Sequence, residues 1–276
     1  MTANRRFAVN SYAYILSHRA EDFLRHFAAE GYDAFELMLF PGHLWPAELD
    51  AAARQALRRF TAAESLRVIT LNMPNIDINI GAATAEMRAY SLERIAEALE
   101  LAGDLGVATV LIGPGKPNPL FPLPAETMMG HLFAAFDRLA PVAARAGTTI
   151  ALENLPIAFL PDAESMMAAL ERYGNRDIGI VYDLANAVFA GDPPAAGLRR
   201  VKDRLRLVHL SDTTREVYRH DPVGRGIVPF AEMPPVLAEI GYKEPAMLEI
   251  ISNDPDRDIA ESADKLAGMG FVRPRP

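Results

Sequence analysis

Apolar and polar positions alternate in blocks along the chain, and the blocks predict strands and helices in regular succession. Short apolar runs predict eight β-strands: Phe7–Asn10, Ala34–Met38, Val68–Asn72, Thr109–Ile112, Thr149–Glu153, Ile178–Asp183, Leu205–Leu210 and Ala246–Ile250. Longer amphipathic segments predict the helices: Ala20–Glu30, Ala47–Ser65, Ala85–Leu105, Thr127–Ala146, Asp162–Tyr173, Pro194–Asp203, Phe230–Ile240 and Asp256–Ala267. Five glycines that follow these segments mark helix ends: Gly31, Gly106, Gly147, Gly174 and Gly241.

The order of these elements predicts the fold class. Continuous apolar strands separated by helices indicate an α/β protein with a parallel sheet covered by helices. Eight strand–helix units are the count of a closed (β/α)8 barrel, and the alternative is a doubly wound open sheet. No linker, low-complexity tract or block of charge marks a boundary, so residues 1–276 are predicted to form one TIM-barrel domain.

Composition narrows the class of partner. The chain has 276 residues, 50% of them hydrophobic, and a formal net charge of −8, which argues against general affinity for nucleic acid or anionic membranes. It has no cysteine, which excludes disulfides and thiolate metal sites. No apolar segment follows the two N-terminal arginines as in a signal peptide, and no apolar stretch has membrane-spanning length. A cytoplasmic location is therefore predicted.

Strands five to eight each end in a side chain that can bind a metal ion. These residues are Glu153, Asp183, His209 and Glu249. The C-terminal strand ends form the active-site face of a barrel, and buried carboxylates or imidazoles need partners there. Three oxygen ligands and one imidazole suit one divalent ion, with Mn²⁺ favoured and Mg²⁺, Co²⁺ or Zn²⁺ as alternatives. Taken singly, each residue has a structural alternative: Asp183, for example, can cap the next helix.

Other polar residues near the same face are candidates for substrate contacts. Glu36 and Asn72 end the second and third strands, His220 lies in the loop after the seventh, and Arg225 lies in a Gly-Arg-Gly turn. The structural alternatives are pairing within the core for Glu36 and Asn72, an exposed loop position for His220, and a solvated basic turn for Arg225. The proline-rich loop 113–124 can either wall the pocket or act as a rigid connector.

Several of these motifs resemble those of a known superfamily. Ala151-Leu-Glu153-Asn154, Tyr182-Asp183-Leu-Ala-Asn186, Val208-His209-Leu-Ser-Asp212 and Leu248-Glu249 are similar to signatures of the xylose isomerase-like barrels. The resemblance implies a metal-dependent sugar isomerase or epimerase acting on a small keto sugar or polyol ketone through a metal-stabilised enediolate. In it, Glu153 and Glu249 would be both metal ligands and the acid/base pair, with Asp183 and His209 as further ligands. It also implies, by analogy, a homo-oligomer.

The resemblance leaves other reactions open. Loss of a β-hydroxyl from the same enediolate would make the protein a dehydratase of a keto-inositol or a similar cyclic ketone. An endonuclease IV-like phosphodiesterase would need several metals, yet Gly113 and Asn186 stand where that family carries histidine ligands. Ketose 3-epimerases carry Glu and His at two positions that are Phe159 and Asn186 here. A non-catalytic sugar-binding barrel is a further alternative.

Overall fold

A computed structural model describes residues 7–74 and 77–271, so the predictions for residues 1–6 and for one domain over the whole of 1–276 extend beyond the described ranges. The strands are β1 (Phe7–Asn10), β2 (Ala34–Met38), β3 (Arg67–Asn72), β4 (Thr109–Ile112), β5 (Thr149–Glu153), β6 (Gly179–Asp183), β7 (Leu205–Leu210) and β8 (Ala246–Leu248). The α-helices of the described ranges are α1 (Ala20–Ala29), α2 (Ala51–Ala63), α3 (Ala85–Leu105), α4 (Ala125–Ala146), α5 (Ala163–Tyr173), α6 (Leu184–Ala190), α7 (Pro194–Val201), α8 (Met233–Glu239) and α9 (Pro255–Gly268).

The eight strands form a closed parallel barrel in chain order. Each strand pairs with the next, and β8 returns to pair with β1, where Phe7 faces Ala246 in the register. Helices lie between the strands, so the structure is a (β/α)8 TIM barrel, and the open-sheet alternative is excluded. Among the described residues, no helix combines the length and apolar character needed to cross a bilayer. The cytoplasmic location stays a prediction.

The interior of the barrel is filled by a layer of small and apolar side chains. Seven strands contribute a buried residue to this layer: Ala8, Ala34, Leu111, Ala151, Val181, Leu207 and Met247. Side chains along a strand alternate between the two faces, so the residue two positions later points to the same interior. For β5 to β8 that residue is Glu153, Asp183, His209 or Glu249. The apolar layer is therefore the floor beneath these four side chains.

The observed elements differ from the predicted ones at several ends, and one helix was not predicted. Helix α2 begins at Ala51 because Asp50 caps it, accepting a hydrogen bond from the backbone N of Ala53 at 2.8 Å. Strand β8 ends at Leu248, so Glu249 lies one residue beyond it. Helix α6 was not predicted at all, because its seven residues follow β6 without a connecting loop.

Candidate metal centre and active site

The four candidate metal ligands lie together at the mouth of the barrel. Glu153, Asp183, His209 and Glu249 are all buried, and one ligand atom from each lies within 4.8 Å of the other three. His209 Nδ1 is 3.3 Å from Glu153 Oε1 and 3.1 Å from Glu249 Oε2. Three carboxylates and one imidazole oriented toward a common point are a suitable donor set for a divalent ion.

Asp183 has one carboxylate oxygen that is used by the fold and one that is not. Its Oδ1 accepts a hydrogen bond from the backbone N of Asn186 at 2.6 Å and so caps α6. Its Oδ2 is buried without a hydrogen-bond partner. An unsatisfied buried carboxylate oxygen is costly, and a bound cation would remove that cost. The capping alternative is thus correct for one oxygen, while the other fits a metal ligand.

Contacts behind His209 fix the direction of its ring. Its Nε2 is 3.1 Å from Glu36 Oε1, which leaves Nδ1 facing the other three candidate ligands. Glu36 is fully buried and accepts hydrogen bonds from Asn10, Thr70 and Asn72. Partners of this kind set the tautomer and orientation of a metal-binding histidine. The contacts of Glu36 therefore indicate a positioning role behind His209.

Glu36→Gln is expected to weaken metal binding without emptying the site. The amide keeps the size of the carboxylate but loses the charge opposite His209 Nε2, and loss of such a partner typically costs about 10- to 100-fold in metal affinity. Calorimetric titration with Mn²⁺ measures this, with Glu64→Gln, on the exposed end of α2, as the matched control. Equal affinity in the Glu36→Gln variant and the wild type would rule out the positioning role.

Burial and neighbouring charges give the two glutamates different proton affinities in the metal-free site. Burial, reinforced by the charges of Glu249 and Asp183, raises the pKa of Glu153 to about 7. Burial acts in the same direction on Glu249, but the adjacent His209 and His220 outweigh it and hold the pKa of Glu249 below its usual range. Of the pair, Glu153 is therefore the one that carries a proton near neutral pH.

These shifts predict how the stability of the metal-free protein depends on pH. The pKa of Glu153 is raised to about 7 and that of His220 to about 9, because contacts with Glu249 outweigh the effect of burial on this histidine. Both groups bind protons more tightly in the folded than in the unfolded state, so stability falls as pH rises from 5 to about 9. Thermal unfolding in chelator across that range should show a falling midpoint. A midpoint that rises with pH would contradict the assigned shifts.

A second histidine is held beside Glu249 by the loop after β7. His220 Nδ1 lies 3.2 Å from Glu249 Oε2 and 3.0 Å from Ser211 Oγ, and its Nε2 lies 3.1 Å from the hydroxyl of Tyr218. His220 therefore lies beside the four candidate metal ligands and is not an exposed loop histidine. Both of its ring nitrogens contact protein groups, and the contact with Glu249 joins His220 to the candidate metal ligands.

The glycine-rich turn in the same loop is organised around Asp212. The buried Asp212 carboxylate accepts hydrogen bonds from the backbone N of Gly224 at 2.8 Å and of Gly226 at 2.9 Å. A β-carbon at Gly226 would lie 2.1 Å from the carbonyl oxygen of Thr213, so glycine is required. Arg225, predicted to bind substrate, donates instead to the buried Asp258 at 3.0 Å. The backbone N–H groups of the two glycines therefore bind the carboxylate of Asp212, which belongs to the same loop.

A cavity of about 350 Å³ opens above the cluster. Its described lining comprises Tyr12, Met38, Asn72, Met73, Lys116, Glu153, Leu155, Ile157, Tyr218, His220, Glu249 and Ile251. Of the residues predicted to bind substrate, Asn72 and His220 line it, while Glu36 and Arg225 do not. Tyr12, Lys116 and Tyr218 were missed, because Tyr12 lies in a short 3-10 helix and the other two lie in loops, and a strand pattern predicts the folding of neither. The proline-rich loop 113–124 supplies Lys116 and so forms part of the wall.

Comparison with known proteins places the chain in a family. The sequence profile of the xylose isomerase-like TIM barrel matches residues 24–269, so the chain belongs to that family. An uncharacterised protein of Methanocaldococcus jannaschii is 26% identical over 205 residues, covering 72% of this chain and 68% of that protein. L-ribulose-5-phosphate 3-epimerase UlaE of Escherichia coli is 22% identical over 201 residues, covering 70% of each chain.

Solved structures share the fold over almost the whole length. A D-tagatose 3-epimerase-like protein superposes with a TM-score of 0.82 at 21% identity, covering 96% of both chains. The IolI protein, solved with a bound zinc atom, superposes with a TM-score of 0.80 at 16% identity, covering 97% of this chain and 99% of that one. At these identities the similarity establishes the barrel fold alone.

Proposed function

We propose that the protein is a divalent-metal-dependent isomerase or epimerase of a small keto sugar or related polyol ketone. The observation that carries the proposal is the buried cluster of Glu153, Asp183, His209 and Glu249, whose ligand atoms lie within 4.8 Å of one another beside an open cavity. The names of the relatives, an L-ribulose-5-phosphate 3-epimerase and a D-tagatose 3-epimerase-like protein, support sugar chemistry.

Within this proposal, Glu153 and Glu249 move the proton. Both line the cavity, so both can reach a substrate bound there. One carboxylate takes a proton from the carbon next to the carbonyl, and the other returns a proton to the resulting enediolate. Return to the opposite face of the same carbon inverts that centre. Return to the former carbonyl carbon, with transfer of the neighbouring hydroxyl proton to the former carbonyl oxygen, moves the carbonyl group. A divalent ion, for which this donor set favours Mn²⁺, would stabilise the enediolate as a Lewis acid.

Dehydration of a keto-inositol or similar cyclic ketone is the second candidate. The observation that favours it is the pair His220 and Tyr218, which line the cavity beside Glu249 and offer a proton donor for a departing hydroxyl group.

Among the described residues one cluster of metal-ligand type is found, which does not favour a multi-metal phosphodiesterase.

Proton NMR in D₂O tests the proposal and separates the two candidates. The Mn²⁺-loaded protein is incubated with ketoses, hydroxypyruvate, keto-inositols and their phosphates. We expect loss of an α-proton signal that requires metal and both glutamates, with Glu64→Gln behaving like the wild type. An isomeric product supports the isomerase or epimerase, and a product that has lost water supports the dehydratase. No exchange on any compound would count against enediolate chemistry.

A further inference from the structure

Lys116 is fixed in place by its backbone. Its N–H donates to Asn79 Oδ1 at 2.9 Å, and Asn79 Nδ2 donates back to its carbonyl oxygen at 3.0 Å. The preceding residue, Gly115, has φ +101°, and a β-carbon there would lie 3.0 Å from the backbone N of Gly81. The carbonyl of Gly115 also accepts from the N–H of Phe159 at 2.8 Å. Three loops of the barrel mouth thus meet at this point, and their contacts hold the backbone of Lys116 in place.

The side chain of Lys116 forms part of the cavity wall. It is half-buried, and it is the single lysine or arginine among the described residues that line the cavity. It follows β4, which stands four strands from β8 in the closed barrel, so it lies across the mouth from Glu249. Much of the wall between the two is apolar, including Met73, Leu155 and Ile157. A ligand that reaches both the metal cluster and Lys116 must therefore cross the cavity.

An ammonium group in the cavity wall favours an anionic ligand over a neutral one, because opposite charges attract. Burial lowers the pKa of Lys116, although the charge of the exposed Asp77 acts in the opposite direction. The half-buried position of the side chain removes part of the hydration of the charged group, which is the cause of this direction. An anionic oxygen adds Coulomb attraction to the hydrogen bond that the ammonium donates, so an anion compensates more of the lost hydration than a sugar hydroxyl.

We propose that the substrate is a hydroxy ketone with an anionic group, a carboxylate or a phosphate, on a carbon distant from the carbonyl, and that Lys116 binds this group. The inference rests on the proposed function, because the keto end must occupy the metal cluster. It makes Lys116 a residue that determines specificity, without a part in proton transfer. The carboxylate and the phosphate present the same anionic oxygens and are separated by experiment.

Three ketoses with the same keto end provide the test: D-fructose, D-fructuronate and D-fructose 6-phosphate differ in a hydroxymethyl, a carboxylate or a phosphate ester. Calorimetry measures their binding to the Mn²⁺-loaded wild type, to Lys116→Met and to Lys116→Arg. The control is Lys243→Met, which makes the same change in charge at an exposed position between α8 and β8. Unfolding midpoints show whether each variant is folded.

We expect at least one anionic ketose to bind the wild type about 10- to 100-fold more tightly than D-fructose. Lys116→Met should remove this preference and leave D-fructose binding unchanged, while Lys116→Arg should keep part of it and Lys243→Met all of it. The anionic ketose whose affinity falls more in Lys116→Met shows whether the bound group is a carboxylate or a phosphate.

The failure of this inference can be distinguished from that of the proposed function. Equal binding of all three ketoses, or an equal loss for all three in Lys116→Met, would overturn the role of Lys116 while metal-dependent α-proton exchange could persist. Lys116-dependent binding of an anionic ketose without α-proton exchange would support the inference and count against the proposed reaction. If none of the three binds, the inference about Lys116 is overturned, while the proposed function is decided by α-proton exchange on the wider panel of compounds.

Discussion

Glu153→Gln is expected to lower the turnover number about 10²- to 10⁴-fold at saturating Mn²⁺. The amide keeps the shape of the side chain and one oxygen, but it cannot accept or return a proton, and a positioned acid or base is typically worth that factor. Glu249→Gln should have an effect of the same order, because the proposed reaction needs both residues of the pair. Turnover is measured as α-proton exchange by NMR on whichever compound of the panel reacts.

The control for this experiment is Glu64→Gln, which changes an exposed carboxylate at the end of α2. Mn²⁺ affinity is determined for every variant, so a loss of metal can be separated from a loss of proton transfer. If Glu153→Gln, with metal bound, retained turnover within tenfold of the wild type, Glu153 would not be the acid or base.

Asp183→Asn is expected to separate the two functions of that side chain. Asparagine keeps the oxygen that caps α6 but loses the charge of Oδ2, which has no hydrogen-bond partner. Metal affinity should therefore fall by more than the about 10- to 100-fold typical of an outer partner. The metal-free protein should be as stable as the wild type or more so, since burial raises the pKa of Asp183 and so disfavours its charged form.

Asp183→Ala is the companion variant, because it removes the metal ligand and the cap together. It should lower the free energy of unfolding of the metal-free protein by about 0.5–2 kcal/mol, the typical cost of losing an N-cap. Chemical denaturation in chelator and calorimetric titration with Mn²⁺ give the two quantities. Unchanged Mn²⁺ affinity in Asp183→Asn would show that Asp183 does not bind the ion.

The strand pattern predicted the barrel and the position of the metal cluster, since both follow from local periodicity. Glu153 and His209 each lie two residues beyond an interior apolar residue of the same strand, so their approach follows once the strands close in chain order. Helix α6 was not predicted, because Asp183 is both the last residue of β6 and the N-cap of the helix.

Contacts between distant segments were beyond the reach of the sequence pattern. Glu36 was predicted to contact substrate at the active-site face. It lies in the middle of β2, where hydrogen bonds from Asn10 and Thr70 and the contact with His209 place it behind the cluster. Lys116 is placed by Asn79, which lies 37 residues earlier in the chain. Such pairings depend on the folded loops, and no local periodicity encodes them.

Anomalous diffraction from a crystal soaked in Mn²⁺ tests whether the four side chains form a metal site. We expect one anomalous peak at the barrel mouth, within coordination distance of Glu153, Asp183, Glu249 and Nδ1 of His209. The peak should disappear or weaken strongly in Asp183→Asn crystals soaked in the same way. A Mn²⁺ ion bound elsewhere, with these four side chains paired only to one another, would show that they do not form the metal site.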